Sequence, residues 1–105
     1  ELGPTAETAA DRLSGAYLIA AAGRTIRDVA DLEDRARKEG KRVATLTLET
    51  DVRFANADSR AKFAEELTNA VARLTAKYHD DKAPGGRRFR LLAAVHPVPV
   101  TRTKE

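Results

Sequence analysis

Lys41-Arg42-Val43-Ala44-Thr45-Leu46-Thr47-Leu48-Glu49-Thr50-Asp51-Val52-Arg53-Phe54 is the stretch whose reading decides the fold. From Ala44 the apolar residues alternate, as Ala44, Leu46 and Leu48, then Val52 and Phe54. Thr45, Thr47, Glu49, Asp51 and Arg53 stand between or beside them. A period of two is that of a half-buried strand. After Asn56-Ala57-Asp58-Ser59 the period changes. Phe63, Leu67, Ala70, Val71, Leu74 and Tyr78 fall on one stripe of an amphipathic helix, with Lys62, Glu66, Asn69, Arg73 and Lys77 opposite. The spacing predicts a strand feeding a helix over 41–78, and the rest of the chain must cover its apolar faces.

Upstream, residues 6–39 favour helix almost throughout. Thr5 reads as an N-cap, with Glu7 in the first turn, and Gly40 after Arg37-Lys38-Glu39 reads as the stop. Asp31 with Arg35, Glu33 with Arg37 and Asp34 with Lys38 place acids four residues before bases. The apolar stripe of this segment changes side. It runs through Ala9, Leu13, Ala16, Tyr17 and Ala20, then through Leu18, Ala22, Ile26, Val29, Leu32 and Ala36. One stripe can pack on the strand–helix unit, and the other needs a second copy or another partner. Gly15 and Gly23 each cost roughly 1 kcal/mol of helix propensity. A break near Gly23 that leaves two ordinary helices is an open alternative.

Downstream, His79-Asp80-Asp81-Lys82-Ala83-Pro84-Gly85-Gly86 reads as a loop. Phe89, Leu91, Ala93 and Val95 then alternate with Arg90, Leu92, Ala94 and His96, which predicts a second, more buried strand ended by Pro97 and Pro99. Residues 101–105 read as a flexible tail. The expected fold is α+β, in the order helix, strand, helix, strand. Two strands make a poor sheet, so homodimerisation is expected to complete it across a two-fold axis.

At 105 residues the chain is read as a single domain, 1–105. Charged residues make up 33% and mix in sign, and the net charge of +3 asks little of a partner. The chain has no cysteine, which excludes disulfides, thiolate metal sites and thiol catalysis. The apolar run 16–22 is too short to span a bilayer. No basic n-region precedes it, so the cytoplasm is the expected compartment and no membrane partner is expected. The chain begins at Glu1 and holds no methionine, which reads as a piece of a longer protein.

Chemistry is sparse. His79 with Asp80 and Asp81 lacks a second histidine at ligand spacing, so solvated loop residues outweigh a metal site. Glu49 and Asp51 share one side of the first strand, and His96 ends the second. Together they frame the enzyme alternative, which requires them to converge in a cleft. No serine or threonine has an elbow or a base beside it. Gly85-Gly86 lacks the spacing and lysine of a phosphate loop. Arg87-Arg88-Phe89-Arg90 is the most basic run, read as a turn entering a strand ahead of a nucleic-acid contact. Arg24 falls on the side of Leu13, Tyr17 and Ala20, where it could make an interface ion pair or meet an anionic effector. The candidate interface is Leu13, Ala16, Tyr17, Ala20 and Gly23. The candidate ligand contacts are Tyr17, Arg24 and His96. No catalytic residue, metal or cofactor is expected.

Three segments together resemble a recurrent bacterial arrangement. They are the run from Lys41-Arg42-Val43-Ala44-Thr45-Leu46, the helix ending Arg73-Leu74-Thr75-Ala76-Lys77-Tyr78, and Arg87-Arg88-Phe89-Arg90-Leu91-Leu92-Ala93-Ala94-Val95-His96-Pro97-Val98-Pro99. The region following the winged helix of ArsR-like transcriptional regulators is similar. The resemblance covers about 15–100 and implies a C-terminal dimerisation or effector domain, with DNA contacted by a domain absent from this chain. The cysteines of metal-sensing members have no counterpart here. The expected function is therefore homodimerisation, with sensing of a small-molecule effector. A stand-alone adaptor binding through Leu13, Tyr17 and Ala20 is the other rival.

Overall fold

The computed structural model of the chain describes residues 13–100. The chain divides into two units, Glu1–Leu48 and Glu49–Glu105, and the division falls inside the stretch read as the first strand.

In the first unit, helix α1 spans Gly15–Lys38. Its start is set by Ser14, which is extended (φ −97°, ψ 153°) and whose Oγ accepts from the Tyr17 N–H at 3.0 Å. A short hydroxyl side chain at that position satisfies one of the four orphan amides of a helix start. The helix therefore begins at Gly15. The readings of Thr5, Glu7 and Ala9 lie outside the described residues, as does the tail over 101–105. Gly23 does not break α1, because 24 residues of helix absorb one glycine.

The stop at Gly40 is a Schellman motif. Gly40 takes φ +66°, its N–H donates to Arg37 O at 3.2 Å, and the Lys41 N–H donates to Ala36 O at 2.7 Å. Asp31–Arg35 (2.9 Å) and Asp34–Lys38 (3.2 Å) pair as spaced, but Arg37 pairs with Asp34 (3.1 Å) rather than Glu33. All are solvent-facing and contribute little each.

Leu18, Ala22, Val29 and Ala36 form the covered stripe of α1, half-buried, beside Ala21, which is the only buried residue among those described. The Thr25 hydroxyl turns back onto Ala21 O at 3.0 Å.

In the second unit, helix α2 spans Ala57–Tyr78. Asn56 caps it, its Oδ1 accepting from the Ser59 N–H at 2.7 Å, and Asp58 in the first turn pairs with Lys62 at 3.3 Å. The stripe Phe63, Leu67, Ala70 and Val71 is half-buried, while Leu74 and Tyr78 remain exposed. Phe54 stacks on Phe63 in a tilted pair, centroids 5.2 Å apart.

The α+β expectation is overturned. Among the described residues the structure is all-α, two helices with no strand and no sheet for a second copy to complete. The alternation over 44–54 and 89–95 names which side chains would share a face. A strand also needs a neighbour to take its backbone N–H and C=O groups, and a layer to cover its apolar side. Neither segment enters a hydrogen-bonded ladder among the described residues. Leu46 and Leu48 are 82% and 86% exposed, and Leu92, read as central-strand, is exposed as well. The inferred crossover between parallel strands falls with the strands.

Candidate interaction surface

A helix turns about 100° per residue, so the residues of α1 sort into sectors. The covered stripe occupies one. Roughly 100° away lies a second, apolar and open. Ala16, Ala20 and Ala30 are exposed there, Gly23 is half-buried, and Ile19 and Ile26 are 75% and 69% exposed. Ala16, Gly23 and Ala30 are seven apart, and so are Ile19 and Ile26. Apolar residues at alternating spacings of three and four are the seam of a coiled coil, with small residues on one row and isoleucine on the other. The next residue on the isoleucine row is Glu33.

The sequence-derived interface changes accordingly. Ala16 and Gly23 lie on the seam, and Ala20 flanks it. Tyr17 is half-buried toward the other side. Leu13 precedes the Ser14 cap, so it is not part of the helical stripe, and it is 90% exposed. A residue just before a cap often packs on the one five positions later, here Leu18, but Leu13 is left open. The isoleucines were missed. The 100° stripes of the two halves place Ile26 with Leu18 and Val29 and omit Ile19, whereas the seven-residue repeat joins the two isoleucines in one row.

The structure brings together two of the three candidate ligand contacts. The Arg24 guanidinium lies 6.0 Å from the Tyr17 ring centroid, within cation–π range. His96 belongs to the second unit, and its Nδ1 contacts Pro97 O at 2.8 Å. A carbonyl only accepts, so this contact is a hydrogen bond in the tautomer with its proton on Nδ1. No hydrogen bond or ion pair among the described residues joins His96 to Glu49 or Asp51, all three of which are exposed.

Asp80 is taken by its own turn, its Oδ1 accepting from the Lys82 N–H at 3.1 Å. No trio of metal-ligating side chains is gathered among the described residues. Ala83 N–H to Asp80 O and Gly86 N–H to Ala83 O close the loop as read. Beyond it the Arg87 guanidinium stands 5.4 Å from the Phe89 ring centroid, on an irregular segment rather than a strand.

No family model, no curated protein and no solved structure matches this chain. Among the described residues no helix is long and apolar enough to cross a membrane.

Proposed function

We propose that this chain is a homodimerisation module, the C-terminal dimerisation and effector-sensing part of an ArsR-like transcriptional regulator. The open seam of α1 carries this reading. Two isoleucines mostly in water, between alanines and a glycine at heptad spacing, are more than an isolated chain needs, and a second helix accounts for them. The regulator rests on the residue pattern over 15–100 alone, since neither strand of that arrangement is formed among the described residues. Its DNA-binding winged helix lies outside the chain, and the pair of modules sets the distance between two half-site readers. Tyr17 with Arg24 offers an aromatic face and a cation to an anionic effector. Such a ligand shifts the dimer only as far as it prefers one arrangement over another. The module acts by association, without catalysis, in the cytoplasm.

A reporter assay tests this. The chain is fused to a DNA-binding domain that occupies an operator of two half-sites only as a dimer. Restored repression, lost again on substitution of the seam, is the expected result. A fusion that is expressed and folded but silent rejects the reading.

A further inference from the structure

The seam also fixes how two copies meet, an inference that rests on the self-association proposed above. In a parallel, in-register pair each residue faces itself. Ile19 and Ile26 would crowd their own copies while Gly23 and the alanines left gaps. Glu33 would face Glu33, and the acids at 31–34 would lie beside the same acids. Reversing one helix removes both conflicts. In an antiparallel pair the small row of one copy faces the isoleucine row of the other. The register that sets Gly23 against Ile26 also sets Ala30 against Ile19 and Ala16 against Glu33. Every isoleucine then meets a small residue, the volume matching that close packing requires.

Charge selects the same register. Among the described residues the first turn of α1 carries no acidic residue, and an acid brought there by a second copy meets the positive end of its dipole. In this register Glu33 and Asp34 of the second copy come beside that turn. The two helix dipoles also oppose one another.

We infer that two copies of this chain pair through α1 in antiparallel orientation, about a two-fold axis between Arg24 and Thr25, with Gly23 of each against Ile26 of the other and Glu33 of each against the other's first turn.

The absence of cysteine from the chain gives a clean test. A thiol at Gly23 is tolerated, since a Cβ there comes only to ordinary contact, 3.5 Å, with Arg27 Nη1, and Ile26 is exposed. Full-length Gly23→Cys and Ile26→Cys are mixed and oxidised. Ala16→Cys is oxidised alone, because this register holds its two copies about 25 Å apart along the axis. The expected result is that the mixture shifts mostly to twice the chain mass on a non-reducing gel while Ala16→Cys stays at one. Efficient bridging of Ala16→Cys overturns the inference in favour of a parallel pair. No bridging in any variant, with the unmodified chain still dimeric by light scattering, overturns it while leaving the dimer standing. A monomeric unmodified chain rejects the inference together with the proposed function.

Discussion

Replacing Ile26 by glutamate separates the seam's role in association from any role in the single chain. Ile26 is 69% exposed. Fully burying an isoleucine contributes about 1.5–3 kcal/mol, so covering the exposed part contributes about 1–2 kcal/mol per copy. A two-fold interface loses this twice, about 2–4 kcal/mol, before the cost of burying a carboxylate is counted. At 1.4 kcal/mol per tenfold, the dimer Kd rises roughly 30- to 700-fold. The isolated helix loses nothing comparable, since glutamate is at least as good a helix former as isoleucine. Sedimentation equilibrium gives the Kd of both proteins, and circular dichroism at 222 nm under monomeric conditions checks the fold. A Kd within threefold of the unmodified chain, with helicity preserved, would refute the assignment of Ile26 to the interface.

Other perturbations test the elements that hold the two units. Asn56→Ala removes the acceptor of the Ser59 N–H (2.7 Å) and should lower the stability of α2 by about 1 kcal/mol, measured by chemical denaturation. Gly40→Ala forces a side chain into φ +66° and should destabilise the end of α1 by about 1 kcal/mol, seen as faster amide exchange over its last turn. A double-mutant cycle on Phe54 and Phe63, rings 5.2 Å apart, should return a coupling of about 0.5–1.5 kcal/mol; no coupling would contradict the stacked pair.

The helices were legible because their signals are local. Phe63, Leu67, Ala70 and Val71 recur at helical spacing and are the residues of α2 that are partly covered. Gly40 was readable as a stop because a basic turn ending in glycine suits the left-handed cap. The cap at Ser14 was not legible because it stands in sequence that favours helix, and only its extended backbone marks the start at Gly15.

The strands failed for a different reason. Alternation is equally local, but a strand is not, since its hydrogen bonds belong to a neighbour. Ala44, Leu46 and Leu48 have the period without the partner. The proposed seam was half legible. Ala16 and Gly23 of the proposed seam were read as small residues that permit close approach, while Ile19 and Ile26 needed the heptad repeat.

Molar mass in solution, by light scattering on a size-exclusion column across a hundredfold dilution, tests self-association most directly. The account predicts twice 11.4 kDa at high concentration, falling on dilution for Ile26→Glu well before it falls for the unmodified chain. A mass of 11.4 kDa at every concentration would contradict it and leave the seam of α1 to a different partner.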